Sequence, residues 1–141
     1  MISQTQKSST TVLPPDQALA HCLDLGLGLD MVGDAQGLDE VLALAEQSLT
    51  RDLPAIVQLL TQGDAGAVSR LLHAFKGFMP IFCVEALVQQ VCRVELVSKT
   101  ASAAELQPVY AALEPALLQL CGELRQHLNK AASLGNNHAP P

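Results

Sequence analysis

The stretch "VSRLLHAFKGFMP", Val68 to Pro80, combines a histidine, a lysine and a glycine at helical spacing. Lys76 and Gly77 follow His73 by three and four residues, so one turn of helix places them beside the imidazole. A glycine inside a helix costs about 1 kcal/mol relative to alanine, which suggests that the surface beside the histidine has to be free of a side chain. The spacing predicts an accessible histidine that a large partner can approach closely.

A helical projection at about 100° per residue predicts which face of this helix bears the histidine. Small, polar or cationic residues share the face of His73: Gly66, Ser69, Arg70, Lys76, Gly77 and Pro80. Apolar residues occupy the opposite face: Val68, Leu71, Phe75, Phe78 and Met79, with Leu72 and Ala74 flanking them. His73 is therefore predicted to face solvent.

No carboxylate shares that face of the helix, so the projection predicts neither a general acid-base pair nor a metal site. Arg70 and Lys76 lie one turn before and one turn after His73, where their charges can meet an anion at the ring. A phosphoryl group on a side chain has a charge of roughly −1.5 to −2 near neutral pH. It is the ligand that suits both the lysine and the open glycine surface.

The composition predicts that helices position this histidine. The chain has 141 residues, enough for one domain with its own core, and 49% of them are hydrophobic while only 3% are aromatic. Leucine and alanine are abundant and tryptophan is absent, which favours an all-α fold over a β-sandwich or barrel. We expect residues 14–132 to form a helical bundle between disordered tails at 1–13 and 133–141.

Apolar periodicity and capping residues predict the individual helices. A short first helix is expected from about Asp16, followed at residues 25–37 by a glycine-rich loop or a weak turn of helix. One long helix, or two collinear ones bent near Pro54, should then run from Leu38 to Gly63. Asp64 should cap the histidine helix, which ends near Met79.

Two more helices are predicted after the histidine helix, at residues 84–99 and 102–130. Ser102 and Glu105 have the spacing of a capping box at the start of the second one. Pro108 and Pro115 predict bends in that helix or a later start.

Charge and cysteine content exclude several classes of function. The formal net charge of −6, with only 8 Lys plus Arg, disfavours nucleic-acid binding. The four cysteines, Cys22, Cys83, Cys92 and Cys121, form no CxxC pair and are expected to be buried thiols, with no metal site. No apolar run of about 18 residues is present to span a membrane, and the N-terminus lacks the apolar core of a secretory signal. The sequence predicts a cytoplasmic protein without a membrane segment.

The pentapeptide "HAFKG", His73 to Gly77, resembles the His-x-x-Lys-Gly core of histidine phosphotransfer (HPt) domains. The longer stretch "LTQGDAGAVSRLLHAFKG" is similar to the family's usual helix, Gly-Asp turn and histidine helix, and Leu87 falls where the family has an apolar residue. The resemblance covers roughly residues 15–130. It implies an elongated up-and-down four-helix bundle with an N-terminal cap helix.

The resemblance also implies a function in a two-component phosphorelay. His73 would accept a phosphoryl group from the aspartate of a receiver domain and pass it to another receiver. Lys76 would neutralise the phosphoryl oxygens, Gly77 would let the receiver approach, and Arg70 and Ser69 would add contacts. The protein itself would be a monomer and would bind no cofactor, because the receiver supplies Mg²⁺. It would be a relay intermediate more than an enzyme.

Two departures from the family pattern leave alternatives open. Phe78 stands where members commonly have a small residue, and Cys83 where they have a glycine, so the end of the histidine helix can differ. The first alternative is a phosphorylation-silent HPt-like protein that only docks a receiver or a histidine kinase. A kinase dimerisation domain is disfavoured because Ala74, and no acidic residue, follows the histidine. An enzyme with a His-Cys active site would need its histidine and cysteine to lie close together. The other histidines, His21, His127 and His138, show no spacing that indicates this.

Overall fold

The computed structural model describes residues 19–137, and this part of the chain folds into helices joined by short connections. Its five α-helices and one 3₁₀ turn are, in chain order, α1 (Leu25–Val32), α2 (Ala35–Gln62), α3 (Ala65–Phe78), the turn Met79–Ile81, α4 (Glu85–Ser98) and α5 (Ala103–Asn137). The predicted all-α class is confirmed. The predicted N-terminal tail, 1–13, lies outside the described residues.

The four longer helices pack around one apolar core. Helix α2 packs against α3 and α5, and α4 packs against the same two helices, while α1 packs on α2 and on the 3₁₀ turn. The largest fully buried side chains of the core come from all four of the longer helices and the segments between them: Leu42, Leu49, Ile56, Leu72, Phe75, Met79, Phe82, Leu87, Leu106, Tyr110, Leu113 and Leu117. The chain is therefore a helical bundle.

The start of the described chain differs from the prediction of a short helix from about Asp16. Residues 19–24 are not helical, and Leu23 forms an isolated antiparallel bridge with Cys83. The carboxylate of Glu123 on α5 accepts hydrogen bonds from the backbone N–H groups of Cys22, at 2.8 Å, and Leu23, at 2.9 Å. These long-range partners satisfy the backbone in an extended form, so no helix is needed there.

The glycine-rich segment, predicted as a loop or a weak turn of helix, forms the eight-residue helix α1. Asp24 caps the helix by accepting a hydrogen bond from the N–H of Leu27, and Gly33 ends it with φ of +109°. A Cβ atom on Gly28 would lie 2.8 Å from Cδ1 of Leu38. Glycine thus allows α1 to approach α2 closely, and this packing outweighs the low helix propensity of the segment.

Helix α2 is one continuous helix that includes Pro54, which settles the choice between one helix and two. It ends at Gly63, whose φ of +84° is a left-handed conformation that glycine adopts readily. Asp64 then caps α3 by accepting a hydrogen bond from the N–H of Ala67 at 3.0 Å. The predicted cap and the predicted bounds of the histidine helix are confirmed to within a residue.

Helix α5 begins at Ala103 and continues through both prolines, so the late start considered for it is wrong. Ser102 and Glu105 form the predicted capping box, with reciprocal hydrogen bonds of 2.9 and 3.1 Å. The helix extends to Asn137, beyond the residue 133 at which a disordered tail was predicted. Ala131 and Leu134 favour helix and line an apolar groove with α1, which supports the extra turns. Residues 138–141 lie outside the described part.

Three of the four cysteines are buried, Cys92 is half-buried, and all four are free thiols. Burial raises the pKa of Cys22 to about 12 and also raises the pKa values of Cys83 and Cys121. These thiols are poor nucleophiles at neutral pH. Within residues 19–137, none of the helices combines the length and apolar character that crossing a membrane requires.

Candidate functional site

The buried face of α3 determines where His73 points. Val68, Leu72, Phe75 and Met79 are fully buried, and they anchor the helix against the core. His73 therefore projects outward, and 67% of its side chain is exposed. The prediction that the histidine faces solvent is confirmed.

Gly77 lies in the last turn of α3 without any internal reason to be glycine. Its φ is not positive, and a Cβ atom placed on it would have no atom within 4 Å. Neither the backbone conformation nor packing within the described chain excludes alanine, which would be about 1 kcal/mol more favourable in a helix. The glycine leaves an open surface one turn after the histidine, as the sequence predicted.

A carboxylate that the sequence did not predict stands beside the histidine. Glu95 extends from α4, its side chain is only 2% exposed, and its Oε2 atom lies 3.4 Å from Nδ1 of His73. The statement that no carboxylate shares the face holds for α3 alone and is wrong for the assembled site, because α4 supplies one. Nothing in α3 could reveal it, since the contact depends on how the two helices pack.

Two lysines hold this carboxylate in place. Nζ of Lys76 donates to Oε1 of Glu95 at 3.1 Å, and Nζ of Lys99 lies 2.8 Å from Oε2. The ammonium of Lys99, with help from Lys76, lowers the pKa of Glu95 to about 2, although burial acts in the opposite direction. Glu95 is therefore ionised at neutral pH. We name Glu95, Lys76 and Lys99 the ion cluster.

The sequence contains one signal that could have identified Glu95. The buried positions of α4 recur at helical spacing and include an acidic residue: Leu87, Val91, Val94, Glu95 and Ser98. A glutamate on an apolar stripe is rarely buried unless it is paired. Lys99, four residues later, is the partner that this rule would have indicated.

A groove between α3 and α4 opens beside the histidine. It has a volume of about 540 Å³, and its lining residues are Gly66, Ser69, Arg70, His73, Glu95, Ser98 and Lys99. The predicted contacts Ser69 and Arg70 therefore lie in one groove with His73. Lys76 and Gly77 do not line it: Lys76 donates to Oε1 of Glu95, and Gly77 lies one turn after His73 on α3.

The remaining histidines in the described chain do not converge on this site. His127 on α5 pairs with Asp39 on α2, with 2.7 Å between Nε2 and Oδ1, and His21 is an exposed residue before α1. His138 lies outside the described residues. No group of three or more His, Cys, Asp or Glu side chains in the described chain is placed to hold a metal ion. Nucleophilic or proton-transfer chemistry by His73 is what this arrangement supports.

Comparisons with known proteins do not identify the chain. No protein-family model, no curated protein and no solved structure matches it.

Proposed function

We propose that the protein is a histidine phosphotransfer protein of a two-component phosphorelay. A lone pair of the His73 imidazole attacks the phosphorus of a receiver's aspartyl phosphate, an N–P bond forms, and the P–O bond to the aspartate breaks. The electron pair of that bond returns to the aspartate as a carboxylate. The reverse reaction then delivers the group to a second receiver, and each receiver supplies its own Mg²⁺.

One observation supports this proposal more than any other. Nδ1 of a two-thirds exposed imidazole lies 3.4 Å from a buried, ionised carboxylate, and the imidazole lies beside a glycine that nothing within the described chain requires. An exposed histidine that is merely tolerated needs neither feature. A histidine that reacts inside a complex needs both, because its ring has to be oriented and its partner has to come close.

The local charge suits a phosphoryl group. Three cations, Arg70, Lys76 and Lys99, lie near His73 with one carboxylate, Glu95, so the site has an excess of positive charge in a chain whose formal net charge is −6. Arg70 and Lys99 line the groove next to the ring and can meet phosphoryl oxygens directly. Lys76 is predicted to neutralise the same oxygens, and it would then be shared between the phosphoryl group and Glu95.

The bundle is compatible with the finer architecture that we propose. The long helices α2 to α5 would run up and down as an elongated four-helix bundle, and α1 would be the N-terminal cap helix. His73 would lie on the exposed side of α3 and dock a receiver in a one-to-one complex. We propose that the protein acts as a monomer in the cytoplasm.

The direct test is transfer of labelled phosphate from receivers. Receiver domains are phosphorylated with labelled acetyl phosphate and Mg²⁺, freed of the small molecule, and mixed with the chain. We expect acid-labile, base-stable label on the wild-type protein and none on His73→Gln. His21→Gln is the matched control, because it removes another exposed histidine, and it should accept label like the wild type.

Two outcomes would contradict the proposal. Label on the His73→Gln variant would show that the acceptor is another residue. Stable binding to a receiver without any transfer of label would favour the phosphorylation-silent docking protein.

A further inference from the structure

A second groove lies apart from the histidine helix, between α1, the start of α2 and the last turns of α5. Its volume of about 280 Å³ is just below the range of about 300 to 1,000 Å³ that is usual for ligand pockets, so it suits a small molecule. Helix α3 contributes no residue to it. Six of its nine lining residues are apolar: Leu25, Leu29, Ala35, Leu38, Ala131 and Leu134.

Three leucines of this groove are unusually exposed. Leu25 is 40% exposed, Leu29 43% and Leu134 56%, and they are three of the eight large hydrophobic residues that are exposed in the described part of the chain. Apolar surface that is gathered in a concave site is typical of a binding site. An apolar chain that covers these leucines removes their surface from water, which is favourable.

The polar edge of the groove has one cation that is free to bind an anion. Nε2 of His127 lies 2.7 Å from Oδ1 of Asp39, so this carboxylate already has a hydrogen-bond partner. Lys130, one turn after His127, is exposed and forms no ion pair within residues 19–137. An anionic group can therefore pair with Lys130 without breaking a contact, whereas a cationic group would have to compete with His127 for Asp39.

We propose that this groove binds a small anionic amphiphile of the class of medium-chain fatty acids. The apolar chain lies against Leu25, Leu29 and Leu134, and the carboxylate pairs with Lys130. No residue of this groove belongs to the groove beside His73, so the binding does not depend on the proposed phosphotransfer.

Titration with decanoate tests the site directly. Methyl and backbone amide spectra are recorded at neutral pH while decanoate is added at concentrations below those at which it forms micelles. We expect saturable shifts at Leu25, Leu29 and Leu134. Leu118 is the matched internal control, because it is a leucine of α5 with a similar exposure of 54% that does not line the groove. Absence of saturable shifts at the three groove leucines would overturn the proposal.

Variants at exposed positions separate the contribution of the apolar chain from that of the charge. Leu134→Gln should weaken decanoate binding by about 5-fold to 10-fold because it removes apolar contact, and Leu118→Gln should leave it unchanged. Lys130→Ala should weaken decanoate binding by about 2-fold to 5-fold, the effect of one exposed ion pair, and should not weaken the binding of decanol, which has no charge. Arg93→Ala is the control for loss of a charge, because Arg93 is an exposed residue of α4 outside the groove. Circular dichroism checks that each variant is folded.

The same measurements distinguish other occupants of the groove. Equal effects of Lys130→Ala on decanoate and decanol, or tighter binding of decylammonium than of decanoate, would overturn the choice of an anionic ligand. Shifts of the groove leucines when the protein alone is concentrated, with a rise in mass by sedimentation, would show that a second copy covers the groove. Shifts with phosphatidylglycerol vesicles but none with decanoate would show that a membrane surface does. Each of these results would contradict the proposal and leave the proposed phosphotransfer unaffected.

Discussion

His73 is the central residue of the proposed site. The sequence predicted some of the residues around it and did not predict others. Its exposure and the open surface at Gly77 follow from the 3.6-residue period of α3, so both were predictable. Glu95 and Lys99 lie 22 and 26 positions away in sequence. Their contact with the site depends on how α3 and α4 are rotated against each other, and no local pattern specifies that.

The clearance at Gly77 can be separated from helix stability. Gly77→Ala should raise the free energy of unfolding by up to about 1 kcal/mol, whereas Gly77→Gln should slow phosphate transfer because its side chain obstructs the receiver. Gly122 on α5 is the matched control, since it is also exposed and a Cβ there would meet nothing within 4 Å. Single-turnover transfer at the wild-type rate in Gly77→Gln would refute the clearance argument.

The roles of the cations can be separated in the same assay. Lys76→Ala should lower the transfer rate by an amount equivalent to about 1 to 3 kcal/mol, because it loses a charge that holds Glu95 and can reach the phosphoryl group. Arg70→Ala should lower it much less: although Arg70 lines the groove, it leans toward the N-terminus of α3, and within the described chain it forms no ion pair with Glu95. Equal losses in the two variants would show that both cations share the phosphate.

A double-mutant cycle then tests how Lys76 acts. If it acts mainly through the carboxylate, its removal should change the rate little in the Glu95→Gln background. If the losses add, Lys76 contacts the phosphoryl group independently of Glu95. The rates of the two single variants and the double variant decide between these outcomes.

The ion cluster should be visible in the pH dependence of stability. The pKa of Glu95 falls from its ordinary value of 4.5 to about 2 in the folded protein. The stabilisation linked to this shift is present above about pH 4.5 and is lost as the pH falls toward 2. The difference in unfolding free energy between wild type and Glu95→Gln should be constant near neutral pH. Between about pH 4.5 and 2 the wild type should lose stability relative to Glu95→Gln. A difference that is independent of pH would contradict the lowered pKa.

At the scale of the elements, sequence periodicity located α2, α3, α4 and α5, and capping residues located several of their ends. It failed to decide between a loop and a weak turn of helix at α1, because that segment is rich in glycine. The structure shows that Gly28 is needed for close packing against Leu38, an effect that appears only when both helices are present. It also failed at residues 19–24, where Glu123, about 100 positions away, supplies the hydrogen bonds.

The packing of α1 has a measurable signature. Gly28→Val places atoms against Leu38 and should lower the free energy of unfolding by about 1 to 3 kcal/mol, the range of overpacked cores. Gly26→Val is the control in the same helix, because the nearest atom to its Cβ is at 3.7 Å and the position is exposed. Urea denaturation of both variants gives the comparison, and equal stabilities would show that α1 does not pack on α2 through Gly28.

For the whole molecule, composition sufficed to predict the fold class, because a chain rich in leucine and alanine with few aromatics favours helices. Composition did not predict the excess of positive charge at His73, since the chain as a whole is acidic. The surface around His73 is more positively charged than the chain as a whole, and this local charge is why an anionic group is the expected substrate. A relay protein has to accept such a group and also release it to another protein.

Onward transfer of the phosphoryl group from one receiver to another is the decisive experiment for a relay protein. The protein is phosphorylated on His73 by one labelled receiver, purified away from it, and mixed with Mg²⁺ and an equal amount of a second, unphosphorylated receiver. We expect the label to leave the protein and to enter the second receiver on the same time course, and we expect His73→Gln never to be labelled. Loss of the label to inorganic phosphate with none on any receiver tested, or a wild-type protein that binds receivers and never becomes labelled, would contradict this expectation.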